Sequence, residues 1–126
     1  MKKLREIMRE GFLFAVRTDA TVSEAVRTMT EHNVGIVVVL QDDRLVGVLS
    51  ERDVVRRVID KGFDPTVTPV DEVMTQELVV ASEEDNYRAA MRMMDEANIR
   101  HLPVMRRTQL VSMLSIRDLM RVAMQR

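Results

Sequence analysis

Two short motifs place a hydroxyl, a guanidinium and a carboxylate at the same spacing. They consist of Ser50, Arg52 and Asp53, and of Ser115, Arg117 and Asp118, which follow 65 positions later. A fixed carboxylate can accept two hydrogen bonds from a vicinal diol, as an acidic residue does with ribose in dinucleotide-binding folds. A neighbouring guanidinium can reach a phosphate. The motifs are therefore candidates for binding a small anionic ligand that carries a sugar.

The same residues also suit a purely structural role at the start of a helix. Serine is a preferred N-cap, and an aspartate three residues later opposes the positive end of the helix dipole. Each such cap contributes about 1 kcal/mol. These motifs alone leave both interpretations open. The pair Arg100 and His101 has the same two interpretations, as a phosphate contact or as a partly buried polar pair at the start of a strand.

The motifs belong to an internal repeat that covers most of the chain. Residues 16–61 align with residues 81–126 without a gap and share 13 identities in 46 pairs. A repeat of this length is one supersecondary unit, which buries its apolar face against its neighbour. Function is therefore expected to come from two copies of one small unit.

Each copy predicts the element order helix, strand, strand, helix. In the first copy, residues 21–24 form a capping box that begins a helix. The β-branched run 34–40 predicts a buried strand, and residues 45–49 predict a second strand antiparallel to it. A short extended piece precedes each copy, at 13–16 and at 78–81.

A second helix follows each motif. Its inward face in the first copy is predicted to hold Val54, Val55, Val58 and Ile59, with Gly62 as the stop. Most of the eleven methionines fall at apolar helical positions, which favours core filling over a metal-binding or partner-binding stripe. Examples at such positions are Met29, Met91, Met94, Met120 and Met124.

The second copy departs from the first at Pro103, which lies within a predicted strand. Proline lacks an N–H donor, so we expect it near an edge or a strand end. Between the copies, residues 63–69 predict a linker, and Pro69 suits the first turn of a short helix that runs to Met74. The chain therefore divides into repeats at 4–62 and 63–126.

Composition excludes several classes of protein. The chain has 126 residues, is 46% hydrophobic and 31% charged, and has no cysteine, which removes disulfides and thiolate sites. The four glycines cannot build a phosphate-binding glycine loop, and two histidines do not suggest a zinc site. No apolar run is long enough to span a membrane, and no signal peptide is recognisable. We expect a cytoplasmic protein that is not an enzyme and has neither metal nor cofactor.

The formal net charge of −1 conceals a local asymmetry. Residues 60–96 carry 3 basic and 10 acidic side chains, whereas residues 97–126 carry 6 arginines and the single acid Asp118. An arginine-rich face could hold phosphates, a nucleic acid or an acidic surface of a second copy. The low net charge argues against a general nucleic-acid binder, so this function is kept as a less favoured alternative.

These features together resemble a tandem pair of CBS domains, also called a Bateman module. The resemblance rests on the apolar strand 34–40, the segment 47–53, the second set 99–104 with 114–118, and the segment 70–75, which is similar to the opening of a CBS repeat. It implies an α/β (α+β) fold of two β-α-β-β-α repeats, related by pseudo-twofold symmetry in one compact module. It also implies two clefts between the repeats that bind adenosine derivatives.

The resemblance further implies which residues would form each cleft. Ribose is expected at the motif aspartate and serine, with adenine between aliphatic side chains. One cleft would use Met113, Ser115, Arg117 and Asp118 with Phe14, Val34 and Gly35. The other would use Val48, Ser50, Arg52 and Asp53 with Val79, Ile99, Arg100 and His101.

Two departures from the repeat predict that the clefts are unequal. Ser112 stands where the first copy has Gly47, and Arg100 stands where it has Gly35. We therefore expect unequal affinities or a single occupied site.

The favoured function is a regulatory, energy-sensing module that binds AMP, ADP or ATP, or else S-adenosylmethionine, as a regulatory ligand. It would signal occupancy to an unknown regulated protein or to its own homodimer. Dimer formation would cover apolar helix faces such as those of Val54 and Leu119. The alternative in a different class is a structural or interaction module without ligand, in which the motifs are caps only.

Overall fold

The structure is a computed structural model that describes residues 1–11 and 13–125. It confirms the predicted mixed fold, with two three-stranded sheets and four helices besides two short 3₁₀ helices in the described residues. Contacts divide the chain into two units. One comprises Phe14–Leu78, and the other joins Met1–Leu13 to the chain from Val79 onward.

The Phe14–Leu78 unit contains one sheet in the order β1-β2-β3. Its elements are β1 Ala15–Arg17, α1 Val22–His32, β2 Ile36–Gln41, β3 Arg44–Ser50, α2 Glu51–Asp53 continuing as a π-helix over Val54–Ile59, and a 3₁₀ helix Val70–Glu72. Strand β1 is parallel to β2, and β2 is antiparallel to β3. Gly62, with φ +75, lies in the left-handed region just after α2, as expected for a helix stop.

The second unit repeats this plan in the order β4-β5-β6. Its elements are a 3₁₀ helix Leu4–Glu6, β4 Ala81–Ser82, α3 Tyr87–Ala97, β5 His101–Arg106, β6 Gln109–Ser115 and α4 Ile116–Ala123. The strand registers of the two units correspond at the offset of 65. Ile36 pairs with Ser50 and His101 pairs with Ser115, and each hairpin has a register shift at the equivalent place.

Helices α1 and α3 each end at an asparagine in the left-handed conformation. Asn33 has φ 53 and ψ 49, and Asn98 has φ 55 and ψ 45. Asparagine tolerates this conformation better than other side-chain-bearing residues, because its short polar group bonds locally. The identity at these two positions therefore reflects a turn that both copies require.

The two units are completed by segments that precede the other repeat in sequence. Residues 63–69, predicted to be a linker, pack on the start of α1, where Thr68 O accepts from Val22 N at 2.9 Å. Lys2 O accepts from Tyr87 N at 3.1 Å at the start of α3. In each case a carbonyl from elsewhere satisfies an amide that the helix itself cannot pair.

The predicted repeats 4–62 and 63–126 describe the duplication in sequence, whereas packing divides the chain elsewhere. The last residue of the predicted second repeat, Arg126, lies outside the described residues. Pro69 is the N-cap of the 3₁₀ helix Val70–Glu72, which is shorter than the helix predicted to run to Met74.

Pro103 lies third in β5, inside the middle strand of its sheet, and not at a strand end as expected. Its effect is nevertheless visible on the side that faces β4. At the equivalent position in the other unit, Val38 N donates to Phe14 O at 2.9 Å. Proline has no such donor, so the pairing with β4 begins one residue later, at Ala81 and Val104.

Each unit has its own apolar core. Val37, Leu49 and Val58 are fully buried in one, and Leu4, Leu102 and Leu119 are fully buried in the other.

The inward face predicted for α2 is wrong in part, because Val55 and Ile59 are 60% and 59% exposed. The equivalent residues of α4, Met120 and Met124, are 48% and 79% exposed, so the prediction of core filling fails for them. Met29 and Met94 are buried and Met91 packs against the core, as predicted. Leu119 is buried in its own unit, so it does not belong to an exposed apolar face that a dimer would cover, as had been expected.

Candidate functional site

The first Ser-x-x-Asp motif forms a capping box where β3 passes into α2. Ser50 Oγ accepts from Asp53 N at 3.2 Å, and Asp53 Oδ2 accepts from Ser50 N at 3.0 Å. The Ser50 hydroxyl also donates to Asp53 Oδ2, at 3.1 Å. The structural interpretation of this motif is therefore correct, and any binding role would be additional to it.

Asp53 is further engaged by two residues that the sequence did not single out. Thr75 Oγ1 donates to Asp53 Oδ1 at 3.1 Å, and Arg57 Nε lies 3.6 Å from the same oxygen. Arg57 also donates to Met74 O at 3.1 Å. Asp53 is buried, with 9% of its surface exposed, so its carboxylate is enclosed by groups of its own unit.

The second motif forms the same capping box where β6 passes into α4. Ser115 Oγ accepts from Asp118 N at 3.2 Å, and Asp118 Oδ2 accepts from Ser115 N at 2.9 Å. Asp118 is only half-buried and forms no ion pair with a described residue. Its Oδ1 therefore keeps acceptor capacity that Asp53 has already used.

The strand that begins each hairpin is bonded to the residue after the cap. Glu51 N donates to Gly35 O at 2.9 Å, and Ile116 N donates to Arg100 O at 2.8 Å. Each unit thus brings its own strand start to its own motif, with Val34 and Gly35 near Ser50, and Ile99, Arg100 and His101 near Ser115. The resemblance combines residues from both units into each cleft, and that combination stays a prediction.

The remaining predicted residues are distributed as follows. Val48 is buried and exchanges two backbone hydrogen bonds with Thr75, and Met113 is half-buried opposite Pro103 in the hairpin. Arg52 is partly buried, Arg117 is exposed and Val79 is 37% exposed. The motif arginines therefore differ in environment, as do the aspartates.

Phe14 stacks on His32, a contact that no sequence motif indicated. The ring centroids lie 4.1 Å apart and the ring planes differ by 14°. His32 is the last residue of α1, and Phe14 directly precedes β1. No sequence periodicity links the two, because the contact forms only when the end of α1 comes back to the start of β1.

Ser112, which stands where the first copy has Gly47, holds a neighbouring segment through a side-chain hydrogen bond. It is 1% exposed, and its hydroxyl donates to Arg9 O at 2.9 Å. Its counterpart Gly47 instead allows a close approach of another segment, since an added Cβ would lie 3.0 Å from Thr75 O. The β5–β6 hairpin therefore holds the segment at Arg9 through the Ser112 hydroxyl. The β2–β3 hairpin instead meets the segment at Thr75 through the backbone of Gly47, which has no side chain.

The arginine-rich C-terminal region is partly neutralised within its own unit. Arg106 donates through Nε to Glu83 Oε2 at 2.7 Å and also bonds Glu10. The hydrogen bond to Glu83 is the main cause that raises the pKa of Arg106 above its ordinary value. Arg126, another residue of the predicted basic face, lies outside the described residues. This arrangement leaves less free positive charge for a nucleic acid than the sequence suggested.

Among the residues that the structure describes, no three metal-ligating acids or histidines cluster together. None of the described helices is long and apolar enough to cross a membrane.

A protein-family model for the CBS domain matches the chain twice, over residues 4–60 and 70–125. The chain belongs to the CBS domain family. The predicted resemblance to a tandem CBS pair is thereby confirmed, and CBS pairs are known regulatory modules. Proteins made only of CBS domains are typically regulatory.

Named relatives of this CBS pair include the mitochondrial CBS domain-containing protein CBSX3 of Arabidopsis thaliana. It is 38% identical over 109 residues, which cover 82% of this chain and 53% of that protein, so the chain spans about half of its relative's length. A crystal structure of an uncharacterized conserved protein from Pyrococcus horikoshii is 30% identical, with a TM-score of 0.89, and the match covers 98% of this chain and 93% of that one.

A third similar protein was crystallised with ligands. It is a CBS domain pair in complex with 5′-methylthioadenosine and S-adenosyl-L-methionine. Its TM-score is 0.86 at 18% identity, and the match covers 98% of this chain and 96% of that chain. At this identity the likeness is one of fold.

Proposed function

We propose that this CBS pair is a regulatory module, not an enzyme, that binds an adenosine nucleotide such as AMP, ADP or ATP. The observation that carries the proposal is the state of Asp118. Its carboxylate is fixed at the start of α4 by Ser115 N, it is half-buried, and Oδ1 has no hydrogen-bond partner among the described residues. Such a carboxylate can accept hydrogen bonds from both hydroxyls of a ribose.

Other groups of the same unit could contribute to binding. The Ser115 hydroxyl uses its lone pair to cap α4 and keeps its own proton available as a donor. The exposed Arg117 follows two residues later and could meet a phosphate. The complex of a fold neighbour with two adenosine compounds supports this ligand class, and it keeps S-adenosylmethionine as an alternative.

Regulation would require that occupancy changes a contact with another protein. A ligand shifts an equilibrium only by its difference in affinity for the two states. Each unit exposes an apolar pair on the helix that follows its Ser-x-x-Asp motif, Val55 with Ile59 and Met120 with Met124. We propose these faces as the contact through which a homodimer or a regulated partner responds. The absence of cysteine is compatible with a cytoplasmic location.

The proposal is tested by thermal unfolding with millimolar AMP, ADP, ATP and S-adenosylmethionine. Ligand at about 100 times its Kd adds about 2.7 kcal/mol, which moves Tm by several degrees in a domain of this size. Asp118→Asn is expected to abolish the shift. A matched control is Glu24→Gln, because Glu24 closes the capping box of α1 in the same way but lies outside the motifs.

In the Glu24→Gln variant the intrinsic Tm should fall while the ligand-induced shift persists. If none of the four compounds moves Tm in the unmodified protein, the adenosine hypothesis is wrong. The interaction module without ligand then becomes the better explanation of the two caps.

A further inference from the structure

Helices α2 and α4 carry equivalent exposed apolar pairs that differ in their chemistry. Val55 and Ile59 have hydrocarbon side chains, whereas the residues 65 positions later, Met120 and Met124, each contain a thioether sulfur. Nine of the eleven methionines belong to the unit that contains α4. A reagent that attacks thioethers would therefore act mainly on one of the two units, although their folds correspond.

Met120 and Met124 lie on the same side of α4. Met124 N donates to Met120 O at 3.0 Å, so one helical turn separates the two residues. Both side chains are exposed, whereas Met29 and Met94 are buried in the two cores. An oxidant must touch the sulfur in order to react with it, so it reaches the pair on α4 and is excluded from the buried methionines.

Two arginines flank the methionine pair. Arg117 precedes Met120 by three residues, and Arg121 precedes Met124 by three. Both arginines are exposed, and residues at this spacing are neighbours on the surface of a helix. A thioether is only a weak acceptor, but a sulfoxide oxygen is a polar acceptor that a guanidinium can bond. The surroundings therefore suit the oxidised side chains better than a wholly apolar surface would.

We infer that Met120 and Met124 form a modification site, at which a peroxide converts the exposed apolar end of α4 into polar surface. The corresponding pair on α2 does not react with the same oxidant, because Val55 and Ile59 contain no sulfur. The modification itself does not depend on nucleotide binding. Its effect on association rests on the proposed function, in which these faces are contacts with another protein.

The chemical step is the transfer of one oxygen atom from hydrogen peroxide. A lone pair of the thioether sulfur attacks one peroxide oxygen, so that an S–O bond forms and the O–O bond breaks. The departing hydroxide takes the proton of the transferred oxygen, which leaves a sulfoxide and a molecule of water. The sulfur loses two electrons and the peroxide gains them. Methionine sulfoxide reductases reverse the change, so the site can return to its apolar state.

Peptide mass spectrometry of the full chain, treated with hydrogen peroxide, tests the selectivity of the site. Met120 and Met124 should each gain one oxygen atom several-fold faster than the buried Met29 and Met94. Met1 is exposed as well and provides a reference for an accessible methionine. Oxidation of Met120 and Met124 no faster than that of the buried pair would overturn the inference.

Retention on a hydrophobic-interaction column measures the accompanying change of surface. The oxidised chain should elute earlier, and treatment with methionine sulfoxide reductases A and B together should restore the retention. The variant Met120→Gln with Met124→Gln, which replaces both thioethers by polar groups of similar length, should elute early without oxidant. Unchanged retention after oxidation of both methionines would contradict the inference.

A matched control copies the pair of α2 into α4. In Met120→Val with Met124→Ile, peroxide should leave the retention almost unchanged, and the remaining methionines are the same as in the unmodified chain. The reciprocal variant, Val55→Met with Ile59→Met, should acquire a second responsive face on α2. If the control responds to peroxide as strongly as the unmodified chain, the response arises elsewhere and the inference is wrong.

Sedimentation velocity of the untreated and oxidised chain separates the inference from the proposed contact. If the α4 faces meet in a homodimer, oxidation should weaken self-association about tenfold or more, because two apolar side chains have become polar. Selective oxidation with shortened retention but unchanged association would overturn the proposed contact and support the modification site. Absence of selective oxidation would overturn the modification site and leave the proposed function intact. In a monomeric chain, selectivity and retention still decide the inference.

Discussion

The Cα of Gly47 lies directly against the side chain of Met74, with no room for a methyl group. A Cβ at Gly47 would stand 2.5 Å from Met74 Sδ and 2.9 Å from Cγ, and 3.0 Å from Thr75 O. Met74 is buried and could change rotamer only within a packed core, and the Thr75 carbonyl is held by Val48 N. Close packing, and not backbone conformation, therefore requires glycine here. The backbone conformation at Gly47 is one that any residue can adopt.

We predict that Gly47→Ala destabilises the protein by about 1–3 kcal/mol, the usual cost of overpacking a core. Chemical denaturation measures the change. Adding Met74→Ala should relieve part of it, because the deleted side chain makes room for the methyl group. If Gly47→Ala retains full stability, the approach of residues 74–75 to β3 is looser than the structure indicates.

Ser112, the counterpart of Gly47, holds its adjoining segment by a hydrogen bond. We predict that Ser112→Ala lowers the free energy of unfolding by about 1 kcal/mol, since it removes the bond to Arg9 O. Hydrogen exchange should show faster opening of residues 3–8. Ser112→Thr keeps the hydroxyl as a control for the bond, although its extra methyl group must fit a site that is 1% exposed. Unchanged exchange in Ser112→Ala would mean that other contacts hold the segment.

A third prediction concerns the missing donor of Pro103. In Pro103→Val, the new amide should donate to a carbonyl at the start of β4, as Val38 N does to Phe14 O. That amide should therefore be protected from hydrogen exchange, and β4 should lengthen by one residue. Stability should change little, because the gained bond is offset by the greater entropy of the unfolded chain without proline.

The reciprocal variant Val38→Pro serves as the comparison. It removes an existing bond from a buried strand and should cost about 1–3 kcal/mol. Rapid exchange at residue 103 in Pro103→Val would show that something other than the absent N–H keeps β4 short.

Much of the fold was predictable, because the signals were local. The capping box at Thr21 and Glu24 was correctly predicted from the sequence, since a cap depends on residues three positions apart. The gapless repeat carried each element of the first unit over to the second. What the periodicity did not decide was which apolar row of α2 and α4 faces the core. Rows 54/58 and 55/59 are both apolar, and only tertiary packing buries one and exposes the other.

Each unit includes a segment that precedes the other repeat in the sequence, and this arrangement could not be predicted for a different reason. The bonds that place Lys2 at α3 and Thr68 at α1 are between backbone groups, which every residue type except proline can form. The sequence carries no signature of them. The contact of Thr75 with Asp53 spans 22 positions and was missed likewise. Arg57 could have been found, because a basic residue four positions after an acid on a helix is a recognised pairing.

The final prediction concerns pH and the segment at the N-terminus. Lys3 Nζ donates to Glu84 Oε2 at 2.9 Å, and Arg5 lies 3.3 Å from the same oxygen. The bond from Lys3 lowers the pKa of Glu84 below its ordinary value of 4.5, although partial desolvation opposes it. A carboxyl whose pKa is lower in the folded state stabilises the fold above its unfolded pKa. That contribution is lost as the pH falls through the folded value.

Glu84→Gln should therefore be slightly less stable than the unmodified protein at pH 7, and the difference should vanish below the folded pKa of Glu84. The ion pair is exposed, so 1 M salt should also reduce the difference. An NMR titration of the Glu84 carboxyl should give a midpoint below 4.5. Glu77→Gln is the matched control, since Glu77 is exposed and forms no ion pair with a described residue. A midpoint for Glu84 at or above 4.5 would show that Lys3 does not hold it in solution, and the N-terminal segment would then depend on its backbone bonds alone.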